Sequence, residues 1–384
     1  MPLDRASSTV LYRQLANALR QPILDGTMPS GTSLPTEFEL SATYGVSRGT
    51  VRQALGLLSD EGLVERVPGR GTFVRRQDRP APSRGHERTI GLITPSSNDQ
   101  LSMNILVGAE SVAKHRGYQV VFNHSNERLQ QEAEDIQRLR GDNVGGLIIF
   151  PVSDVERDET LLRLHAQAFP FVLVDRFFPA LDCDRVTVDN FGGGYRATEH
   201  LIILGHSRVA FLHQSGAGIK TTSVRDRYLG YRKALDDYGL PFEETWVASL
   251  RDEELAPEAE NTPASCVRYL QRSDRPDAVF AANDFVAIGL LSAAASLGVG
   301  VPDELAIVGF DNLSITAQIH PPLTTINQPR VDVGVRAAQL LIDRIEGKSG
   351  PPESVVLATN LVIRDSCGAR RHARSSANRK EERL

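Results

Sequence analysis

The sequence predicts an α/β protein made of an N-terminal winged helix-turn-helix domain and a larger two-lobed body of doubly wound parallel sheets. Three observations lead to this fold class. At 384 residues the chain is too long for one ordinary hydrophobic core. The stretch "YGVSRGTVRQALGLLSDEGLVERVPGRGTFV" at 44–74 places arginines among glycine and hydroxyl residues on an apolar framework. Further along, strand-like apolar runs recur in two series among helical stretches, as in βα units.

The composition is that of a globular protein, with 41% hydrophobic and 24% charged residues. The longest apolar runs have the length of strands, so no membrane span is expected, and the N-terminus lacks the apolar core of a signal peptide, which predicts a cytosolic protein. Three scattered cysteines argue against a disulfide framework or a zinc site. No metal or other cofactor is expected.

Charge is unevenly distributed along the chain. Residues 1–88 contain twelve arginines and nine acidic residues, a balance of 12 − 9 = +3. The net charge of the whole chain is −5, so the remainder carries −5 − 3 = −8. A basic head on an acidic body indicates that the head is the part that meets a polyanion.

The head, residues 1–76, is predicted to begin with two helices. Leucines recur every fourth position between residues 11 and 19, which indicates a first helix that ends near Gly26. A second helix should follow Pro35, with Thr36 as its N-cap, and end at Gly45.

A third helix should be capped by Ser47 and present Arg48 and Arg52 on one face beside an apolar stripe. Two helices around a tight glycine turn are typical of a helix-turn-helix. "LVERVPGRGTFV" then predicts two short strands around Pro68-Gly69-Arg70-Gly71, which form a wing. Arginines bind guanine edges or phosphates bidentately, hydroxyls bind phosphates at a helix N-terminus, and glycines allow close approach to DNA. The candidate DNA-binding residues are Thr36, Ser47, Arg48, Gly49, Thr50, Arg52, Gly69 and Arg70.

The segment "LPTEFELSATYGVSRGTVRQALGLLSDEGLVERVPGRGTFV" resembles the winged-helix domain of the GntR family of bacterial transcription regulators. The resemblance covers about residues 8–76. It implies that Ser47, Arg48, Thr50 and Arg52 contact phosphates and bases, and that the wing glycine Gly69 enters the minor groove. The family usually has an arginine where Phe38 stands, and that contact is either missing here or supplied by Arg70.

Residues 77–88 are polar and proline-bearing, as in a tether, although an ordered loop is the alternative. In the body, 89–366, polar pairs follow predicted strands at Asp175-Arg176, Asn283-Asp284 and Asp311-Asn312. Ligands of parallel sheets bind at these strand ends, and mixed carboxylate, amide and guanidinium groups suit a polyol. The bland alternative is that Asp284 and Asn312 cap helices, and that Phe177, Phe178, Phe285 and Phe310 pack in the core rather than against a sugar.

The segments "RDRYLGYRKAL", "PDAVFAANDFVAIGLLSAAASLGVGVPDELAIVGFDN" and "PPLTTINQP" resemble the effector domain of LacI/GalR regulators, which is similar to periplasmic sugar-binding proteins. The resemblance implies a two-lobed fold, with lobe 1 at about 89–187 and 321–350 and lobe 2 at about 188–320 and 351–366, and crossings near 188, 321 and 351. The candidate ligand-binding residues are Arg227, Asn283 and Asp311, with weaker matches at Asp175 and Arg176 and a lip residue at Asn98. A disordered tail is predicted at 367–384.

Two stretches superficially resemble nucleotide-binding motifs but lack a glycine that each motif requires. "SGAGIKTTS" lacks the glycine that a phosphate loop places directly before its lysine. "NFGGGYRA" lacks the third glycine of a dinucleotide fingerprint and is interpreted as a flexible turn lining the cleft.

A GntR-type head on a LacI-like body is the architecture of the arabinose repressors, although the sugar need not be arabinose. We therefore predict a ligand-responsive regulator, a repressor of sugar-utilisation genes that a small sugar releases from double-stranded operator DNA, acting as a homodimer. The alternatives are a cytosolic sugar-binding or sugar-processing protein, or a regulator that senses a purine or nucleoside. No catalytic constellation stands out, so an enzyme is not expected.

Overall fold

The structure is a computed structural model that describes residues 11–24, 27–28, 31–60, 63–67, 71–74, 88–97, 100–155, 158–216, 218–251, 255 and 262–369. The chain divides into two compact units, residues 1–83 and 84–384. Within the described residues no helix is both long and apolar enough to cross a membrane.

The head is built on three helices, α1 (Leu11–Leu24), α2 (Glu37–Tyr44) and α3 (Arg48–Asp60). Their bounds agree with the helices that leucine spacing and capping residues predict. Apolar faces from all three meet in one core, which includes the fully buried residues Leu15, Leu19, Leu40, Val51, Leu55 and Leu58. The predicted apolar stripe of α3 is therefore the face that packs inward.

The wing is an antiparallel pair of strands, β1 (Val64–Val67) and β2 (Gly71–Val74), in register from Val64 opposite Val74 to Val67 opposite Gly71. The chain between α1 and α2 adds a bridge from Ser33 to Phe73. The residues between the two strands, 68–70, lie outside the described part of the chain, and with them Gly69 and Arg70.

The first lobe of the body is a six-stranded sheet in the order β13-β7-β6-β5-β3-β4, with all its neighbours parallel. Its strands are β3 (Thr89–Thr94), β4 (Gln119–His124), β5 (Gly146–Ile149), β6 (Phe171–Val174), β7 (Asp184–Val188) and β13 (Ser354–Leu357). Its helices are α4 (Gln100–Arg116), α5 (Leu129–Gly141), α6 (Glu159–Ala166) and α11 (Arg330–Ile345). Strands β5 and β6 are buried along their whole length, as strands covered on both faces should be.

The second lobe repeats this plan with the strand order β14-β12-β11-β10-β8-β9, in which only β14 is antiparallel to its neighbour. Its strands are β8 (Val209–Gln214), β9 (Val247–Leu250), β10 (Ala278–Ala281), β11 (Ala306–Asp311), β12 (Thr324–Asn327) and β14 (Asn360–Val362). Its helices are α7 (Asn190–Ile203), α8 (Thr222–Asp237), α9 (Ala264–Leu270) and α10 (Asp284–Leu297). The predicted class, a winged helix-turn-helix followed by two doubly wound lobes, is confirmed.

The chain crosses between the lobes three times, and the last two crossings lie later than predicted. The first, at Asp189, joins β7 to α7, close to the expected position. The second follows β12, whose residues pair with β11 in the second sheet, so residues 321–327 belong to lobe 2. The third follows β13, which pairs with β7, so residues 354–357 belong to lobe 1. The lobe to which a strand belongs is decided by the strand with which it pairs, which is distant in sequence. The local sequence pattern predicts a strand but does not identify its partner.

Two further predictions need correction. "NFGGGYRA" is not a flexible turn, because Asn190 already begins α7 and its glycines lie inside that helix. The tail does not begin at residue 367, because Cys367 is 2% exposed and packs in the second lobe's core. Residues 370–384 lie outside the described part of the chain.

Candidate ligand and DNA sites

The helix-turn-helix of the head is fixed by side-chain caps at both of its helices. Thr36 accepts from the Glu39 amide at 3.3 Å, while the Glu39 carboxylate accepts from the Thr36 amide at 2.8 Å, a complete capping box. Gly45 ends α2 with φ = 63°, a left-handed conformation that favours glycine. Ser47 then accepts from the Thr50 amide at 3.1 Å. The side chains predicted to approach phosphates therefore also hold the turn in shape.

Glu37 joins two arginines of the head. Its carboxylate accepts from Arg52 Nε at 2.9 Å and also from Arg66 of the wing. Arg52 and Arg66 remain more than half exposed, so their other donors face solvent. The carboxylate orders a basic surface composed of the third helix and the first wing strand, and neutralises part of its charge.

Phe38, which stands where the related family has arginine, is 64% exposed. The guanidinium carbon of Arg48 lies 5.2 Å from the centre of its ring, within cation–π range. Gly49 lies in the first turn of α3, beside the Ser47 hydroxyl. The predicted residues from Thr36 to Arg52 therefore share one exposed face, while Gly69 and Arg70 lie outside the described residues.

The body brings polar side chains from both lobes together at the carboxyl ends of the strands. Asp175 follows β6 of lobe 1, while Arg227 on α8 and Asp311 at the end of β11 come from lobe 2. All three are at least seven-eighths buried, and Arg227 Nη1 lies 3.9 Å from Asp311 Oδ1. Burial raises the pKa of Asp175, while the positive charges of Arg176 and Arg227 act in the opposite direction.

The backbone at this cluster is unusual. Asp175 has φ = 63° and Asp311 has φ = 124°, both in the region that residues with a side chain rarely adopt. Strain of this kind persists only where the surrounding structure imposes it and occurs often at ligand sites.

Arg227 is held from three sides. Its Nε donates to Asn190 Oδ1 at 2.8 Å and its Nη1 donates to the Ala282 carbonyl at 2.7 Å. Its guanidinium carbon lies 3.7 Å from the centre of the Phe310 ring. Burial lowers the pKa of Arg227, and the carboxylates of Asp311 and Asp175 oppose that shift. The side chain is fixed before any ligand arrives.

Arg176 and Asn283 have structural partners as well. Arg176 Nη1 donates to the carbonyls of Pro151 and Val152, at 3.3 and 2.6 Å. Asn283 is the N-cap of α10, accepting from the Val286 amide at 3.0 Å. The cap is therefore Asn283 and not the neighbouring Asp284, so the expectation that Asp284 caps a helix is wrong.

Asp284 is instead the first residue of α10, and it is fully buried. It accepts from Thr325 Oγ1 at 2.6 Å and from the Leu313 amide at 2.8 Å. Asn312 likewise caps no helix: its amide group bonds to Asn327 at 2.9 Å and to Arg364 at 2.7 Å.

Sequence reasoning missed three polar residues of this cluster, Asn190, Gln328 and Arg330. Asn190 and Gln328 lie at the first and second crossings and bond directly to predicted residues, since Gln328 Nε2 donates to Asp311 Oδ1 at 2.5 Å. Arg330 begins α11, is 3% exposed, and its Nη2 lies 3.3 Å from the same oxygen. "NQPR" marks the crossing itself, so a correct position for that crossing would have pointed to both Gln328 and Arg330.

The two lobes also touch at two further points. Asp154 of lobe 1 accepts from the amide of Thr222 in α8 at 2.7 Å and from its hydroxyl. Gln100 of lobe 1 exchanges two hydrogen bonds with Ser314 of lobe 2, at 2.7 and 2.8 Å. The α8 N-cap residue Thr221 makes no capping bond with its own side chain, so the other lobe supplies the cap.

Two of the four aromatic residues considered for sugar stacking pack against arginines of the protein itself. Phe310 is fully buried beneath Arg227, and Phe177 lies 4.5 Å below the guanidinium of Arg185. Asn98 lies outside the described residues. Among the residues that are described, no group of three or more His, Cys, Asp or Glu side chains is placed to hold a metal ion.

Two family descriptions match the chain. Residues 11–74 match the bacterial regulatory proteins of the gntR family. Residues 198–367 match the periplasmic binding protein-like domain. The first covers the winged head, and the second covers the lobe that carries Arg227 and Asp311 together with the crossings that follow it.

Three known proteins illustrate the similarity. The arabinose metabolism transcriptional repressor of Geobacillus stearothermophilus is 32% identical, over 92% of this chain and 97% of its own. The transcriptional repressor PurR of Photobacterium profundum is 30% identical, over 73% of this chain and 81% of its own. A LacI family regulator from Enterococcus faecium, solved with bound ribose, superimposes with a TM-score of 0.60 at 26% identity, over 72% of this chain and 98% of that one.

Proposed function

This chain belongs to the GntR family of bacterial regulatory proteins, in the group that joins the DNA-binding head to a periplasmic-binding-protein-like body, and we propose that it is a sugar-responsive repressor. Two chains act as a homodimer whose heads occupy two half-sites of an operator. The protein works in the cytosol, where that DNA is, and carries out no catalytic reaction.

The observation that carries the sugar assignment is the buried contact between Arg227 and Asp311 at the lobe interface, with Asp175 facing it from lobe 1. A hydroxyl group both donates and accepts, so a polyol needs carboxylate acceptors and guanidinium donors side by side. Two of the three similar proteins support a sugar, since one is an arabinose metabolism repressor and another was solved with bound ribose.

On the DNA side, we assign base or phosphate contacts to Arg48 and Arg52 and phosphate contacts to Ser47 and Thr50 at the start of α3. Thr36 and Gly49 lie on the same exposed face, and Gly69 and Arg70 of the wing would extend the contact into the adjacent groove. The arginine contacts release counterions, so affinity should fall steeply with salt.

The sugar binds between the lobes and lowers the affinity of the paired heads for the operator. By linkage, operator DNA must weaken sugar binding by the same factor.

Thermal unfolding with a panel of pentoses, hexoses, nucleosides and purine bases tests this function. A sugar should raise the melting temperature in a concentration-dependent manner. The same sugar should release the protein from DNA taken from upstream of its own gene in a gel-shift assay. If purines alone stabilise the protein, the ligand is a purine and not a sugar. If the protein shows no salt-sensitive binding to this DNA, the regulator function is overturned.

A further inference from the structure

We infer that Arg330 is a ligand-binding residue of the cleft, and that its Nε–Nη2 edge binds two neighbouring hydroxyl groups of the ligand. The inference rests on the proposed sugar-binding function and adds to it a residue and a ligand class, a sugar with an intact vicinal diol. Neither of the two resemblances stated above assigns this position.

The first support is the environment of the guanidinium. Arg330 is 3% exposed, and its Nε and Nη2 atoms are buried without a hydrogen-bond partner among the described residues. Buried donors nearly always have partners, and a buried charge without them is costly. Asp311 Oδ1 lies 3.3 Å from Nη2, close enough for an ion pair, but the two groups are not in hydrogen-bonding geometry.

The second support is the position of the residue. Arg330 begins α11 directly after the second crossing, so its side chain lies where the two lobes meet. The charges of Asp175, Asp311 and Arg227 all act on the same small volume, together with that of Arg330. Arg176 and Arg227 donate to carbonyl or amide oxygens, and Arg176 retains one buried donor without a partner in the described part of the chain, its Nε. Of the three clustered arginines, Arg330 is the one that keeps two such donors on the same edge of its guanidinium, Nε and Nη2.

The chemistry selects the ligand group. The Nε–H and Nη2–H bonds of a guanidinium point the same way and match two acceptor oxygens side by side. Two adjacent hydroxyls supply such a pair, and each hydroxyl keeps a proton to donate to Asp311 or Asp175. A carboxylate would also fit the two donors, but it would bring a negative charge against those two carboxylates.

Calorimetric titration of the full chain tests the inference, with arabinose and its monodeoxy analogues as probes. Arg330→Lys keeps the positive charge and removes the paired donors. It should bind arabinose at least about tenfold more weakly. In addition, at least one monodeoxy analogue should bind the wild type more weakly than arabinose does. The variant should bind that analogue and arabinose with similar affinity. Arg336→Lys, an exposed arginine of the same helix, is the matched control and should bind as the wild type does.

Each other result has a defined meaning. Equal losses for arabinose and every analogue would show that Arg330 only supports the fold, and would overturn the inference. So would unchanged binding in Arg330→Lys and in a second variant, Arg330→Gln. Tighter wild-type binding of arabinonate than of arabinose would overturn the diol assignment. If the wild type binds no sugar in the panel, the proposed function itself fails, which is a different result from loss of the Arg330 effect alone.

Discussion

Phe38 changes the chemistry of the surface that the head presents to DNA. An arginine at this position would donate hydrogen bonds, whereas the exposed ring of Phe38 offers an apolar face and stacks beneath Arg48. Apolar side chains of this kind contact the methyl group of thymine in the major groove. We therefore expect Phe38 to offer an apolar contact in place of the donors of an arginine, and to orient Arg48 beside it.

Phe38→Ala should weaken operator binding about twofold to fivefold, the loss expected from an exposed cation–π contact of roughly 0.5–1 kcal/mol. A gel-shift titration at fixed salt measures it. Val107→Ala removes a similarly exposed apolar side chain from the body and should leave binding unchanged. Equal affinity of the Phe38→Ala protein and the wild type would remove Phe38 from the interface.

Glu132 is a buried acid whose titration should appear in stability. Burial raises its pKa to about 8, although the Val152 amide donates to it at 2.7 Å. The folded protein therefore holds a proton that the unfolded chain releases near its ordinary pKa of about 4.3. Stability from this group should fall as the pH rises from about 4.3 to 8, by at most about 1.4 kcal/mol per pH unit.

Urea unfolding of the wild type and of Glu132→Gln between pH 5 and 8 tests this assignment. The amide cannot ionise, so the difference in stability between the two proteins should shift in favour of Glu132→Gln as the pH rises. A difference that stays constant over this range would show that Glu132 does not change its ionisation state on folding.

Close packing of helix α7 against helix α8 sets the position of Arg227, which lies on α8. Helices α7 and α8 cross at Gly194 and Gly230, each against the backbone of the other helix. A Cβ atom at Gly194 would lie 2.2 Å from the carbonyl oxygen of Arg227, and one at Gly193 would lie 2.7 Å from the Phe310 ring. Helix α7 thus tolerates two glycines because they leave room for α8 and for the ring beneath the arginine.

Gly194→Ala should force α8 away from α7, at a cost of about 1–3 kcal/mol in stability, and should weaken sugar binding by displacing Arg227. Chemical denaturation and calorimetry measure the two effects. Gly141→Ala, at the end of a lobe 1 helix with open space around it, is the control and should do neither. Normal sugar affinity in Gly194→Ala would show that the crossing does not position the arginine.

The helices of the head and the buried strands of the body were predictable because each forms for reasons contained in its own stretch of sequence. Leucine spacing, the Thr36 cap, the left-handed Gly45 and the continuous apolar strands each report the conformation of their own segment. The helical glycines of α7 were not, because contact with α8 overrides their weak helix propensity. Arg227 and Asp311 could be selected from family resemblance, whereas Arg330 could not, since its burial depends on both lobes together.

At the scale of the whole body, a lobe 1 carboxylate caps the helix that carries Arg227. Asp154 accepts from two donors of Thr222, and the positive end of α8 favours its charge. The contact exists only while the lobes touch, so it favours the arrangement that encloses the ligand.

Asp154→Ala should therefore weaken sugar binding, by roughly twofold to thirtyfold if the cap contributes about 0.5–2 kcal/mol. The variant should also need more sugar to leave its operator, which a gel shift at graded sugar concentrations would show. Asp158→Ala removes a cap from α6 within lobe 1 and should lower stability without changing sugar affinity. Unaltered affinity in Asp154→Ala would mean that the lobes close without this contact.

The path of the chain constrains how the protein can be made. Neither lobe is a continuous segment of the chain. The last strand of the first sheet is Ser354–Leu357, and the last strand of the second sheet is Asn360–Val362. A ribosome working from the N-terminus must have synthesised more than nine-tenths of the 384 residues before either sheet gains its final strand. The winged head, whose described elements end at Val74, can be complete long before that, so a nascent DNA reader would emerge ahead of the sensor that controls it.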